Sequence, residues 1–268
     1  MNGHKTFILG IGAQKAGTTW LHHYISTAPN ADTGSHKEYH IWDSTTRGGF
    51  NAKATVRVRD ALSNRRKFMM QWSDRAYFGY FAQLLNRDGI SITADITPTY
   101  CSLKQETFER IRSGFARRRI DSKAVFLMRD PVERCWSKVR HDVRKNRIGD
   151  RELSGEVLAY ALSSDAVVRT RYDRTLQTAL EAFTAKELHI GFYETMFASE
   201  EVKRLSQFVG VPYRAEIANE VVNATIRSGE ITEQVMRKVA QHYRDVYEFV
   251  GERWPEIRSH WLGYRYIY

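Results

Sequence analysis

Short apolar runs alternate along this chain with longer stretches in which apolar positions recur every three or four residues. The apolar runs cover residues 7–12, 91–94, 124–128 and 188–192 and are rich in Ile, Val, Leu and Phe. Runs of this length and composition predict buried β-strands, and the intervening stretches predict helices. Regular alternation of the two is typical of parallel β-α units, so the pattern predicts an α/β fold.

One helix is predicted directly after residues 124–128. Asp130 can cap its N-terminus, and Pro131 suits the first helical position. Its apolar face is formed, at spacings of four, three and four residues, by Val132, Trp136, Val139 and Val143. The basic side chains are expected on other faces, at Arg134, Lys138, Arg140 and Arg144.

A second long helix is predicted at residues 232–250, whose apolar stripe is Val235, Val239, Tyr243, Val246 and Val250. Residues 43–71 are the least regular part of the chain. They predict either a mobile surface excursion beside a ligand cleft or an ordinary loop with a short helix. Because no repeat or linker divides the sequence, a single domain over residues 1–268 is expected.

The amino-acid composition excludes several classes of protein. A chain of 268 residues that is 42% hydrophobic can bury a large core, which excludes a disordered or disulfide-stapled protein. No apolar run approaches the ~20 residues of a membrane span, and residues 6–13 lack a signal-peptide cleavage pattern. Cys101 and Cys135 have neither disulfide-framework nor zinc-ligand spacing, which favours a cytoplasmic protein without a metal.

The net charge of the chain says little about its ligand. The chain has 41 Lys and Arg against 31 Asp and Glu, a formal net charge of +10, which attracts anionic ligands without naming one. The basic run at residues 117–119 is not accompanied by a groove-reading or base-stacking motif, so nucleic acid is not an expected partner. Oligomeric state is not set by any sequence feature.

The first candidate binding segment follows the first predicted strand and covers residues 12–21, GAQKAGTTWL. Gly17 allows close approach of the main chain, and N–H groups at the start of the next helix can converge on a phosphate. The glycine spacing matches a Walker A loop, but Thr18 occupies the position of the Walker lysine. Lys15 lies inside the loop instead. The pattern indicates an anion-binding turn, and a ligand-free glycine turn is the alternative.

Residues 14–20, QKAGTTW, resemble the 5′-phosphosulfate loop, PKxGTTW, of sulfotransferases that use 3′-phosphoadenosine 5′-phosphosulfate. Residues 125–137, VFLMRDPVERCWS, resemble the second element of that family, a strand followed by Arg-Asp-Pro and a later Ser. The resemblance covers about residues 6–210. It implies a P-loop nucleotide-kinase-like fold of three layers, a central parallel sheet between helices, with this nucleotide as co-substrate and no metal. The donor contacts that the first element implies are Lys15, Ala16, Gly17, Thr18, Thr19 and Trp20.

The second element, residues 125–137, is suited to bind a phosphate on physical grounds alone. Arg129 follows a strand at the end where open α/β sheets bind ligands, and its guanidinium can clamp a phosphate. Ser137 can donate from two turns along the next helix. The alternative is that Arg129 pairs with Asp130 or Glu133 while Ser137 only packs. Together, the two elements are expected to hold the 5′ and 3′ phosphates of one nucleotide.

In-line transfer of a sulfuryl group needs a cation at the leaving oxygen and a base for the attacking hydroxyl or amine. Lys15 suits the first task. Residues 37–43, KEYHIWD, resemble the KExHFF-like segment of heparan-sulfate-type and related bacterial sulfotransferases, which implies that Glu38 is the general base. His40 is the alternative base because an imidazole titrates near neutrality, and His36 is a weaker one.

Three further segments extend the resemblance. Residues 94–100, ADITPTY, are similar to the family segment EKTPxY, but Ile96 stands at the position of its lysine. Tyr172 opens a segment that is similar to the start of a family helix beside the nucleotide. Arg227, in residues 223–229, is a candidate to close over the 3′-phosphate. The aromatic residues 261–268 are expected to pack back onto the domain or to line an acceptor cleft.

The expected acceptor is a small molecule or saccharide, and no sequence feature identifies it further. The alternative enzyme is a P-loop small-molecule kinase that uses Mg-ATP. Asp95, at the end of an apolar run, would hold the metal in that case, but the Walker lysine is missing after Gly17.

Overall fold

A central sheet of four parallel strands organises the computed structural model, with strand order β2-β1-β3-β4. The strands are β1 (Thr6–Gly12), β2 (Ile92–Ile96), β3 (Asp121–Met128) and β4 (Leu188–Phe192). The structure describes residues 4–45, 49, 51, 55–58, 62, 64–147, 153–218 and 231–267. Each predicted strand is present, with ends shifted by at most three residues, so the α/β fold class is confirmed.

Helices flank this sheet. They are α1 (Thr18–Ser26), α2 (Arg65–Trp72), α3 (Asp74–Leu85), α4 (Gln105–Ala116), α5 (Pro131–Arg144), α6 (Leu153–Ala161), α7 (Ser164–Thr170), α8 (Tyr172–Ala182), α9 (Ser199–Val209), α10 (Ala215–Ala218), α11 (Glu233–His242) and α12 (Arg244–Arg253). Short 3₁₀ helices cover Pro98–Ser102, Pro255–Ser259 and Leu262–Tyr266. None of these helices is both long and apolar enough to cross a membrane, over the ranges described above.

The centre of the molecule is apolar because β1 and β2 are buried along their whole length. Strands buried on both faces read as continuous apolar runs, as observed in the sequence. Phe7 of β1 stacks on Phe115 of α4, with ring centroids 4.0 Å apart, and Phe81 of α3 packs edge-on against Phe7. This packing fixes the inner strands, and with them the loops that leave their ends.

The helix predicted after β3 is confirmed as α5, with Pro131 as its first residue. The carboxylate of Asp130 caps it by accepting the N–H of Glu133 at 3.0 Å. The sequence placed the basic residues of α5 away from its apolar face but did not predict that Arg134 and Arg140 are buried. Arg134 lies under α6 and α7, where its guanidinium contacts the Tyr160 hydroxyl and the Ala166 carbonyl.

The prediction of a single helix at residues 232–250 is wrong, because the chain forms α11 and α12 with a break at Tyr243. The apolar stripe is buried as expected, Tyr243 included. The Tyr243 hydroxyl donates to the carbonyl of Ala161 at 2.6 Å, which ties the break to α6. Residues 261–267 pack back onto the body of the molecule, one of the two predicted outcomes, with Trp261 almost completely buried.

All strands of this sheet end at the same edge because they are parallel. Hydrogen bonds tie the loops after β1 and β4 to the end of β3: the N–H of Ala13 donates to the carbonyl of Leu127 at 2.6 Å, and that of Tyr193 donates to the carbonyl of Met128 at 2.7 Å. The loops after β1, β3 and β4 are therefore neighbours, and most of the candidate site residues lie on them.

Candidate functional site

The turn between β1 and α1 is shaped to bring main-chain N–H groups together. Lys15 and Gly17 adopt left-handed backbone conformations, with φ of 71° and 93°. Helix α1 starts at Thr18, and the first N–H groups of a helix have no partner inside it. We call residues 13–17 the Lys15 loop. Lys15 and Gly17 of this loop and Thr18 and Thr19 at the positive end of α1 border one space.

That space is a cavity of about 320 Å³, at the lower end of the range for small-ligand sites. The Lys15 loop and α1 contribute Gln14, Lys15, Gly17, Thr18, Thr19 and Trp20 to its wall. Glu38 and Lys37 line it on one side, and Arg129 and Ser137 line it on another. The structure thus brings together in one cavity the candidates that the sequence placed in three separate segments.

Arg129 lies at the end of β3 between two sets of contacts. One guanidinium nitrogen donates to the carbonyl of Lys15 at 3.3 Å, and another pairs with the Glu133 carboxylate at 3.0 Å. The guanidinium also lies 4.2 Å from the ring centroid of Tyr193. The pairing of Arg129 with a local carboxylate, one of the two sequence-based alternatives, is therefore present, and Arg129 also lines the cavity. Its contact with a phosphate stays a prediction. Ser137 is nearly buried and reaches the cavity from α5.

The cavity wall is strongly basic. Its Lys and Arg residues are Lys15, Lys37, Arg129, Lys138, Arg144 and Arg147, and the only acidic side chain on the described lining is Glu38. Burial, reinforced by the charge of Arg129 and of other basic neighbours, lowers the pKa of Lys15 to about 8. A bound anion would offset this repulsion, so the electrostatics of the wall match a multiply charged anionic ligand.

Glu38, His40 and Asp43 form a hydrogen-bonded row beside the cavity. His40 contacts Glu38 through Nε2 at 3.1 Å and Asp43 through Nδ1 at 2.9 Å. Burial acts to lower the pKa of His40, but the hydrogen bonds to Asp43 and Glu38 outweigh it and raise the pKa to about 9. At neutral pH His40 is therefore an imidazolium that donates to both carboxylates, and it is not free to accept a proton.

Glu38 is held as a carboxylate. Burial acts to raise its pKa, but the hydrogen bond from His40 and the charge of Lys37 outweigh it, so the pKa of Glu38 lies below its usual value. Lys37 also reaches α1, where its Nζ donates to the Thr19 hydroxyl at 2.7 Å. Compared with His40, Glu38 is in the deprotonated form that a base needs, and it lines the cavity.

Some candidates lie away from the cavity. Ala16 is completely buried in the loop, and Tyr172 is buried behind Arg129, whose carbonyl accepts the Tyr172 hydroxyl at 2.9 Å. Ile96 is buried in β2. Arg227 and the remainder of residues 223–229 lie outside the described residues.

Asp95, the metal ligand of the kinase alternative, is not placed for that task. It is completely buried, and its carboxylate accepts the hydroxyls of Tyr77 and Tyr100, each at 2.9 Å, and of Thr97 at 2.7 Å. Burial raises the pKa of Asp95 to about 6. Over the described parts of the chain, no group of three or more His, Cys, Asp or Glu is arranged to hold a metal ion.

Sequence reasoning missed two parts of the cavity wall. One is the basic face of α5 and its C-terminus, with Lys138, His141, Arg144 and Arg147; the spacing of Ser137, His141 and Arg144 by four and three residues was a usable signal. The other is the aromatic pair Tyr193 and Phe197, which follows β4. Their position after a parallel strand was the signal, since the ends of these strands share one edge.

Fold and site together define an α/β protein with a basic cavity between a strand-to-helix turn and a basic helix, and with a carboxylate in the cavity wall. The family model for the sulfotransferase domain matches residues 5–248, and the chain belongs to this family. The nucleotide-kinase-like architecture expected from the sequence is the fold of sulfotransferases. No curated protein shows significant sequence similarity to the chain.

Solved structures of similar fold are also sulfotransferases. The enzyme from Alicyclobacillus acidocaldarius is 16% identical, with a TM-score of 0.63 over 93% of this chain and 95% of its own. The sulfotransferase domain of the curacin biosynthetic pathway is 16% identical, with a TM-score of 0.49 over 84% of this chain and 80% of its own. The sulfotransferase domain of the Synechococcus PCC 7002 olefin synthase is 12% identical, with a TM-score of 0.46; the match covers 90% of this chain and 96% of that domain.

Proposed function

We propose that this sulfotransferase moves a sulfuryl group from 3′-phosphoadenosine 5′-phosphosulfate to a hydroxyl or amine of a small molecule or saccharide. The observation that carries the proposal is the convergence of Lys15, Arg129 and Glu38 on one cavity. These residues come from three distant segments, and each supplies a different requirement of the reaction.

The cavity wall has candidate contacts for both anionic groups of the donor. The Lys15 loop and the first N–H groups of α1 would hold the 5′-phosphosulfate. Arg129 and Ser137 would hold the 3′-phosphate, with the basic face of α5 beside them. The rings of Tyr193 and Phe197, also in the cavity wall, would offer the adenine an aromatic surface.

The bound donor would supply an electrophilic sulfuryl group on a phosphate leaving group. Lys15 stabilises the charge that develops on the bridging oxygen, in the way that cations assist phosphoryl transfer. Glu38 accepts the proton of the acceptor hydroxyl or amine as that group attacks. His40 and Asp43 hold the Glu38 carboxylate in place, and Lys37 adds a second positive charge near Thr19.

The experiment that tests the proposal incubates the protein with donor labelled in the sulfuryl group and a panel of saccharides, phenols, alcohols and amines, without metal. Labelled sulfated product is expected with the wild-type chain, and not with Lys15→Ala. A parallel reaction with γ-labelled ATP and Mg²⁺ serves as the control for the kinase alternative. Phosphorylated product in that reaction, with none from the sulfuryl donor, would overturn the proposal.

A further inference from the structure

Both polar atoms of the peptide bond between Arg129 and Asp130 are held by side chains. The carbonyl of Arg129 accepts the Tyr172 hydroxyl at 2.9 Å. The N–H of Asp130 donates to Glu194 Oε1, also at 2.9 Å. A peptide unit fixed at both atoms has little freedom to rotate, so the direction in which the Arg129 side chain leaves the backbone is fixed as well.

Glu194 is itself held by the C-terminal segment, residues 261–267. Its second oxygen, Oε2, accepts the indole N–H of Trp261 at 2.9 Å. Trp261 is almost completely buried and packs edge-on against Phe192 and Tyr172, with ring centroids 6.0 and 6.2 Å away. Each oxygen of this carboxylate thus accepts one N–H, which orients the side chain in a single way.

The same segment also reaches Asp130. Asp130 Oδ2 accepts the N–H of Gly263 at 2.8 Å, while Oδ1 caps α5 by accepting the N–H of Glu133. Since α5 carries Ser137, the start of that helix and the base of the Arg129 side chain depend on the same small group of buried contacts.

Glu194 and its neighbour Tyr193 act on two parts of the same residue. Glu194 holds the backbone that follows Arg129, and the Tyr193 ring lies under the Arg129 guanidinium. The turn after β4 therefore sets both the origin and the end of the Arg129 side chain, although it is more than sixty positions away in the sequence.

We infer that Glu194, held by Trp261, is a positioning residue that aims Arg129 and Ser137 at the 3′-phosphate of the donor. This inference rests on the proposed function, under which that pair of residues binds the 3′-phosphate. It gives the C-terminal aromatic segment a task in donor recognition, in addition to its packing.

The test uses Glu194→Gln, because an amide has one acceptor and one donor end. In either orientation its NH₂ group faces an N–H, of Asp130 or of Trp261, and one hydrogen bond is lost. The double variant Glu194→Gln/Trp261→Phe removes the indole N–H, so the amide oxygen can again accept the N–H of Asp130 without opposition. Restoration of binding in the double variant is a result that mere loss of packing would not give.

The readout is the preference for 3′-phosphoadenosine 5′-phosphate over adenosine 5′-phosphate, from the two Kd values in calorimetry at pH 7.5. We expect Glu194→Gln to reduce this preference by about tenfold, the size of one charge-assisted hydrogen bond, with the Kd for adenosine 5′-phosphate nearly unchanged. The double variant should regain most of the preference. Glu187→Gln is the matched control, since Glu187 accepts the N–H of Thr184 at the opposite end of β4.

Equal weakening of both nucleotides, or an unchanged preference in Glu194→Gln, would overturn the inference. Trp261→Phe alone gives a second test if Glu194→Gln folds poorly, with a smaller loss of preference, about threefold, expected. Failure of the proposed function looks different: the wild-type chain would show no preference for the 3′-phosphate, or Arg129→Ala would keep it. Either result would remove the task assigned to Glu194 as well.

Discussion

At the scale of single residues, the arrangement of Glu38 and His40 separates two roles that the sequence left open. His40 donates from both ring nitrogens, to Glu38 and to Asp43, and Asp43 also accepts the hydroxyl of Thr99. The histidine is therefore a charged support, and the carboxylate that it supports faces the cavity. This arrangement favours Glu38 over His40 as the proposed general base.

Glu38→Gln should lower kcat by roughly 10² or more, the usual size of lost general-base assistance. The amide keeps the shape of the side chain but cannot accept the proton. Turnover with labelled sulfuryl donor, and calorimetry with 3′-phosphoadenosine 5′-phosphate, give the two numbers to compare, and the nucleotide Kd should change little. Full activity in Glu38→Gln together with an inactive His40→Ala variant would reverse the assignment.

Lys15 should make donor binding depend on pH. Burial and the charge of Arg129 lower the pKa of Lys15 to about 8, so the free protein loses this positive charge as the pH rises above 8. Binding of an anion then requires uptake of a proton, and the affinity should fall by up to about tenfold per pH unit. Calorimetry with 3′-phosphoadenosine 5′-phosphate at pH 7 and pH 9 measures the slope.

Lys15→Arg is the control for that slope, because a guanidinium stays protonated over this range. The variant should show a flatter profile than the wild-type chain. The comparison largely cancels any contribution of His40, which is present in both proteins and whose pKa is raised to about 9 by its hydrogen bonds to Asp43 and Glu38. Identical slopes would mean that Lys15 does not carry the pH dependence.

At the scale of elements, the Lys15 loop depends on the turn after β4. A Cβ at Gly17 would lie 2.7 Å from Sδ of Met196, and Gly17 has a φ of 93°. The left-handed backbone is the main reason for a glycine here, and the contact with the flexible Met196 side chain adds a smaller steric cost. The side chains of Met196 and Tyr193, from the turn after β4, thus pack directly against the Lys15 loop.

Gly17→Ala should reduce the free energy of unfolding by about 1–2 kcal/mol from the left-handed backbone alone, with a further steric cost. It should also weaken binding of 3′-phosphoadenosine 5′-phosphate. Urea denaturation and calorimetry measure the two effects. Adding Met196→Ala should remove the steric cost and leave the cost of the left-handed backbone. Complete recovery of the unfolding free energy in Gly17→Ala/Met196→Ala would contradict this division.

Helix α5 shows what the sequence could and could not predict at this scale. The Asp-Pro start and the apolar spacing placed its N-terminus correctly because capping and amphipathicity are local properties. Burial of Arg134 was not predictable, because it depends on α6 and α7, which pack over that face. The break at Tyr243 has the same origin, a long-range hydrogen bond to Ala161.

At the scale of the whole molecule, the parallel sheet explains why the site could be found from separate motifs. Lys15 and Arg129 follow strands that are neighbours in the sheet, so their loops must meet. The contributions of Tyr193, Glu194 and Trp261 were missed because their roles arise from packing between the turn after β4 and residues 261–267. No local pattern of residues encodes such a contact.

The group around Glu194 should also make stability depend on pH. Burial raises the pKa of Glu194 to about 7, above its ordinary value of 4.5 in the unfolded chain. The folded state therefore binds more protons than the unfolded state between pH 4.5 and 7, and stability from this group falls as the pH rises through that window. Below pH 4.5 and above pH 7 its contribution is flat.

Denaturation of the wild-type chain and of Glu194→Gln from pH 4 to pH 8 isolates this contribution. The difference in unfolding free energy between the two should change in favour of the variant as the pH rises from 4.5 to 7. Asp130, whose pKa burial raises to about 6, is present in both proteins and largely cancels. A difference that is independent of pH would show that Glu194 titrates normally.

The most direct measurement of the central claim is a crystal structure of the protein with 3′-phosphoadenosine 5′-phosphate bound. One nucleotide should span the cavity, with its 5′-phosphate on the N–H groups that follow Lys15 and its 3′-phosphate on Arg129 and Ser137. Glu38 should face the open side of the 5′-phosphate. A nucleotide bound elsewhere, or bound with Lys15 and Arg129 on the same phosphate and the other phosphate in solvent, would contradict the account.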